Sequence, residues 1–306
     1  MRRRRHRLGV LRRVSILILC MLAVAGGAAV ASGPKSLPLG DGKISAGPRA
    51  GYIFSCGMGG GGGGAFADGP WIHGSTFDPS AKTSVQGAVS WPAHKLTITV
   101  TGGAVHITTN DLPSHATGTF PIASGDPAYL YDRNPNTIRA QAFDVRLPLS
   151  PKAAASPSCL PGGPIGVLLS GAYLFDGLDA MGRDAVAHEV QDRCAGHPQQ
   201  GGAYHYHDLS PCIDSGPPGQ HSSLVGYALD GYPIYGPLGE GGKTLTNADL
   251  DACHGTTGPV ILRGKKVTIY HYVATAEYPY TLGCFHGTPV HAGGVVGGPP
   301  PPPPPG

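Results

Sequence analysis

The stretch Gly202-Ala203-Tyr204-His205-Tyr206-His207 alternates two tyrosines with two histidines. In an extended strand successive side chains point to opposite faces, so His205 and His207 share one face while Tyr204 and Tyr206 share the other. The two imidazoles start about 7 Å apart at the backbone. Their ring nitrogens can still converge on one ion at about 2.0 to 2.1 Å. The tyrosines then form the anchoring face, large and apolar, each with a hydroxyl that needs a partner. The plain alternative is an ordinary sheet segment with its histidines toward solvent and its tyrosines in a core.

Two ligands do not close a site, because zinc takes three or four from the protein. Candidates for the remainder are His188, Asp192 and His197 upstream and His271 further along. His188 and Asp192 are four apart and would face the same way on a helix. "HEVQD" starts like the metalloprotease helix but has Asp192 where the second histidine belongs, and Glu189 fits equally well as a solvated helix residue. His115, in "DLPSHATG", is either a further ligand or a plain surface residue. Imidazole suits both zinc and copper, and the sequence does not choose between them.

Other catalytic signatures are weak. "GVLLSG" lacks the spacing of a nucleophile elbow. The hexaglycine run is followed by no lysine or serine and is therefore no phosphate loop. Asp230, Glu240, Asp249 and Asp251 offer a carboxylate pair for glycoside chemistry. Their plainer roles are in turns and loops, Asp230 in an Asp-Gly turn above all.

Residues 1–31 have the form of an export signal: an arginine-rich start, an apolar run from Val14 to about Val30, and a small-residue end at Ala29-Val30-Ala31. Arg12-Arg13 hints at the twin-arginine route, and an uncleaved membrane anchor is the competing reading. These residues hold seven of the 22 Lys+Arg and none of the 19 Asp+Glu, so the remainder carries 15 basic against 19 acidic side chains. The basic balance of the whole chain therefore says nothing of its partners. With only Lys265-Lys266 left as a basic cluster, a nucleic-acid partner is excluded. No membrane span is expected once the leader is removed.

Cleavage removes Cys20 and leaves Cys56, Cys159, Cys194, Cys212, Cys253 and Cys284. An even count in an exported chain argues for disulfides, in any of 15 connectivities. Thiolate metal ligation is the rival, since Cys194-Ala195-Gly196-His197 has suitable spacing.

The elements that must position these residues are mostly strands. With 49 Gly and 31 Pro among 306 residues, the chain is punctuated by turns and poor in helical periodicity. "KLTITVTG" and "AVHITT" alternate with period two around Gly102-Gly103, a hairpin pattern. "IGVLLSGAYLF", residues 165–175, is a buried strand broken at Ser170-Gly171. Asp230-Gly231 turns the chain between two apolar segments, and residues 266–275 form a β-branched and aromatic strand. Only residues 182–192 present a helical face. There is also an echo: "GAYHYHDLSPC" and "TIYHYVATAEYPYTLGC" each run an aromatic-His-aromatic strand into a cysteine, as two copies of one hairpin unit would.

The expected fold is mainly β, a β-sandwich-like or mixed β-rich single domain with one or two short helices, stapled by disulfides. Residues 32–51 are an N-terminal extension, 52–290 the domain, and 291–306 a Gly/Pro-rich disordered tail that favours a solvated polyproline helix.

"GAYHYH", "GYALDGYPIYGP", "YHYVATAEYPYTLGCF" and "PSHATGTFP" together resemble the YHYH domain family, over about residues 52–289. That resemblance implies an exported or cell-surface protein and carries over no catalytic residue. In that setting Cys194 and Cys212 flank the tetrapeptide and are expected to pair, a loop closure worth roughly 3 kcal/mol in the chain-entropy model. Cys253 is expected with Cys284, which leaves Cys56 with Cys159.

The leading expectation is a zinc- or copper-binding exported protein using His205 and His207, helped by His188, His197 or His271. The alternatives are a metal-assisted hydrolase, a cell-wall glycan- or peptide-binding module built on the 13 tyrosines, and a surface scaffold without a ligand.

Overall fold

Between Pro164 and Val273 the apolar runs, separated by glycine-containing turns, become the strands of one eight-stranded sheet. In chain order these are β1 (Pro164–Leu168), β2 (Tyr173–Phe175), β3 (Gly196–Pro198), β4 (Tyr204–Tyr206), β5 (Leu224–Ala228), β6 (Pro233–Tyr235), β7 (Gly255–Leu262) and β8 (Lys265–Val273). Their spatial order is β3-β4-β2-β1-β5-β6-β8-β7. β1 and β2 form a hairpin turned at Ser170-Gly171, and β5 and β6 one turned at Asp230-Gly231. Both glycines sit at φ near +90°, where a Cβ would be strained. β2 runs parallel to β4, and β6 runs parallel to β8.

The computed structural model describes residues 36–57 and 64–291. The leader, residues 58–63 of the glycine-rich run and residues 292–306 of the tail therefore lie outside the described residues. Among those described, no helix is long and apolar enough to cross a membrane.

A second, antiparallel sheet of Leu96–Thr101, Ala104–Thr109 and Phe143–Pro148 packs on the first, with the expected hairpin at Gly102-Gly103. Its alternation buries Val105, Ile107, Phe143, Val145 and Leu147 in the same core as Tyr173, Tyr204 and Tyr206. The Phe143 and Tyr173 rings meet at 5.1 Å. The chain is β-rich with a sandwich-like core, as its composition suggests. The segment before Tyr52 takes part: Leu37–Pro38 pairs with Thr76–Phe77, and Ile44–Ser45 with Ile53–Phe54. A smaller core around Trp71, Phe77, Val85 and Val190 lies under these strands.

Three disulfides staple the fold: Cys56–Cys159, Cys194–Cys212 and Cys253–Cys284. All six cysteines are thereby occupied, and the thiolate reading of Cys194 falls.

The helix expected over residues 182–192 is a correction. Only α1 (Ala185–His188) forms, capped by the Asp184 carboxylate, which accepts from the Ala187 amide at 3.2 Å. Glu189 leaves the helix with extended backbone angles. His188 and Asp192 therefore do not share a helical face.

Candidate metal centre

The antiparallel register of β3 and β4 sets His197 directly opposite His205, and the period of β4 puts His207 on the same face. The other face anchors the strand. The Tyr204 hydroxyl donates to the Asp192 carboxylate at 3.0 Å, and Asp192 also accepts from the amides of Cys194 and Gly118, at 2.8 and 2.9 Å. Gly196 makes room for this ring, since a Cβ there would stand 2.3 Å from the Tyr204 hydroxyl oxygen. Tyr206 donates to Ser170 Oγ at 2.9 Å and lies 2.6 Å from His115 Nε2.

On the histidine face the Nε2 atoms of His205 and His207 are 3.2 Å apart. His205 Nδ1 lies 3.3 Å from the Ala203 carbonyl, and His207 Nδ1 bonds the Asp176 carbonyl. Carbonyls only accept, so each Nδ1 carries a proton, and in the neutral ring the Nε2 is then the atom that presents a lone pair. Glu189 Oε2 stands 3.4 Å from the Nε2 atoms of both His197 and His207. Glu189 Oε2 and both ring nitrogens of His197 are buried without a hydrogen-bond partner. Lys82 donates to the Val186 carbonyl and to Gln191 Oε1, pinning the chain on either side of Glu189.

All four side chains are withdrawn from water: His197 is 3% exposed, His205 4%, His207 3% and Glu189 8%. Burial, with the neighbouring imidazoles, holds His197 and His205 well below the ordinary histidine pKa. Burial alone would depress His207 too. The Glu189 carboxylate and the Asp176 carbonyl and charge outweigh it and raise His207 above the ordinary value. Phe175 stacks on His205 with ring centroids 4.1 Å apart. His197, His205 and His207 thus form a buried group that could hold a metal ion.

The remaining candidates lie elsewhere. His188 sits between Asp41 and Asp68, 2.9 Å from a carboxylate oxygen of each. His271 belongs to the other half of the sheet, its ring beside His221 and Tyr235. His115 comes together with Cys194 and Cys212, whose sulfurs are joined to each other and offer no thiolate. Asp230 accepts from the Tyr272 hydroxyl and from the amides of Gly287 and Tyr232. Glu189, read above as fitting a solvated helix residue, is instead buried and aimed at the histidines. Its nearness to His188 in sequence gave no sign of this, because only the end of α1 turns it inward.

Residues 144–247 match the model of a family described as YHYH protein, about a third of the chain, spanning both Tyr204–His207 and Asp230–Tyr235. The match is narrower than the span of the resemblance and stops short of His271. No curated protein and no solved structure matches.

Proposed function

We propose that this chain, which belongs to the YHYH family through residues 144–247, is an exported protein that holds one transition-metal ion, zinc or copper, on His197, His205 and His207, with the Glu189 carboxylate beside them. The observation that carries the reading is the buried group of His197, His205 and His207, with a carboxylate oxygen of Glu189 near two of the rings. Two imidazole lone pairs 3.2 Å apart repel unless a cation or a proton lies between them. Two donors at about 2.05 Å from a tetrahedral ion stand about 3.3 Å apart. The His205–His207 separation of 3.2 Å matches that span. The Nδ1-to-carbonyl bonds of His205 and His207 are the outer contacts that fix tautomer and ring direction in metal-ligating histidines.

With its three imidazoles and the neighbouring carboxylate all buried, the site resembles closed structural centres more than catalytic ones, which keep a position open to solvent or substrate. We therefore assign the ion the task of tying β3 and β4 to the end of α1. The three disulfides support an oxidising compartment and so export. A tyrosine stacking platform for glycans has less support, since Tyr232 and Tyr235 of the Asp-Gly turn are 4% and 1% exposed.

Elemental analysis of protein folded with its disulfides intact tests the reading. We expect close to one equivalent of zinc or copper, lost in the His205→Ala/His207→Ala double variant. Folded wild-type protein that takes up neither ion after chelation and reloading would overturn it.

A further inference from the structure

The order of the eight strands is a palindrome. Its two halves meet at the antiparallel contact between β1 and β5, and each half is a hairpin followed by an antiparallel pair whose second strand runs parallel to the hairpin. The correspondence extends to single atoms. The turn at Ser170-Gly171 is closed by Leu168 N to Ala172 O at 3.0 Å, and that at Asp230-Gly231 by Ala228 N to Tyr232 O at 3.0 Å. After the hairpins, Leu178 bridges Asp184, and Leu238 bridges Thr244.

Asp192-Arg193-Cys194-Ala195-Gly196 and Asp251-Ala252-Cys253-His254-Gly255 then build the same loop. In each the aspartate accepts from the amides of the cysteine and the glycine. Each also accepts a tyrosine hydroxyl at 3.0 Å, from Tyr204 in one half and Tyr270 in the other. Each loop has a left-handed residue before its glycine, Ala195 at φ +62° and His254 at φ +68°. A Cβ on Gly196 or on Gly255 would stand 2.3 Å from the corresponding tyrosine hydroxyl oxygen. Tyr206 bonds Ser170, and Tyr272 bonds Asp230.

We infer that the sheet is a tandem duplication of one four-stranded metal-binding unit, and that the second unit is a copy emptied of its site, with Thr256, His271 and Val273 in the places of His197, His205 and His207. The registers fix these equivalences: Thr256 lies directly opposite His271 as His197 does opposite His205. His271 keeps even the outer contact, its Nδ1 3.1 Å from the carbonyl two residues before, as His205 Nδ1 is 3.3 Å from Ala203. Tyr235 flanks His271 where Phe175 flanks His205. Two substitutions therefore separate the second unit from a trihistidine face. The claim rests on the metal reading of the first unit for its ligand, a divalent transition ion, and on the fold alone for the duplication.

The test is to make Thr256→His/Val273→His in the full chain and measure zinc stoichiometry. We expect about two equivalents where the wild type holds one. The milder Thr256→His alone, at a half-buried edge position, sets a new imidazole opposite His271 and near His221 and should add a copper(II) site. His271→Ala should leave the wild-type stoichiometry unchanged. A wild type with one equivalent and folded variants with no more would overturn the inference, as would loss of the wild-type ion in His271→Ala. Absence of metal in the wild type would instead strike the reading of the first unit. The duplication has a readout of its own: Gly196→Ala and Gly255→Ala should lower the denaturation midpoint by similar amounts, and a clear effect in one with none in the other would count against equivalent units.

Discussion

Glu189 and His207 carry the electrostatics of the site. Both are buried, and an unpaired carboxylate in such a place is costly unless a cation or a proton offsets it. If the offset is a metal ion, Glu189→Gln should weaken zinc or copper by at least roughly tenfold, since loss even of an outer partner costs about 10- to 100-fold. Competition against a chromophoric chelator measures this, and unchanged affinity would show that Glu189 takes no part in holding the ion. Imidazole must also be free of its ε proton to ligate, and His207 is the ring held above the ordinary histidine value, so affinity should already fall as pH drops through the ordinary range near 6.5. A flat profile from pH 5 to 8 would exclude histidine ligation. Away from the site, His254 is 1% exposed and burial pushes its pKa down to about 3. An unfolded histidine titrates near 6.5, so His254 contributes stability that is fully present above that pH and lost as pH falls toward 3, by roughly 1.4 kcal/mol per unit. Asp132, raised to about 6 by burial, acts in the opposite sense. The difference between wild type and His254→Asn isolates the histidine, and asparagine tolerates the left-handed backbone there. Urea titrations at pH 7 and pH 4.5 should show a smaller acid loss in the variant; an equal loss in both would refute the assignment.

The elements around the site divide into those legible in the sequence and those set by distant contacts. The alternation of Tyr204 to His207 gave the faces of β4 correctly, because period two is a property of the backbone itself. The glycine turns at 102–103, 170–171 and 230–231 were legible for the same local reason. The helix over 182–192 was not. Its apolar spacing suits a longer helix, but the chain from Glu189 onward answers to tertiary partners: the Val190 amide bonds Asp132 Oδ2, and Asp192 collects donors from four residues. His197 appeared in sequence only as a nearby histidine. Its role depends on the β3–β4 register, which the short loop after Pro198 and the Cys194–Cys212 link hold in place. That link spans 18 residues, and closing a loop of about this length is worth roughly 3 kcal/mol. Cys194→Ala/Cys212→Ala should lose stability of that order in urea and loosen metal binding with it, because Cys194 leads directly into β3. A variant with unchanged midpoint and affinity would show that the ladder keeps its register without the staple.

Across the whole molecule, the duplicated sheet explains why a chain with so few helical residues buries so many hydroxyls. Each half repeats the same tyrosine-to-aspartate bonds, at Asp192 and Tyr204 and again at Asp251 and Tyr270, so the polar core is built twice by one rule. Only the first half adds the histidine face, and the halves therefore differ in what holds them together. The second depends on packing and the Cys253–Cys284 link, whereas the first also has a cluster of unsatisfied donors that a bound ion would satisfy. An ion that binds only the folded state stabilises it by about 2.7 kcal/mol when free metal is a hundredfold above the dissociation constant. For a domain of this size each kcal/mol moves the midpoint by about 2 to 4 °C. Loading chelated protein with zinc at that excess, disulfides intact, should raise the thermal midpoint by roughly 5 to 10 °C. The His205→Ala/His207→Ala variant should show no such rise. Hydrogen exchange should place the gain in amides of β3, β4 and α1, and protection gained equally in β7 and β8 would mean that the ion is not seated on the first half.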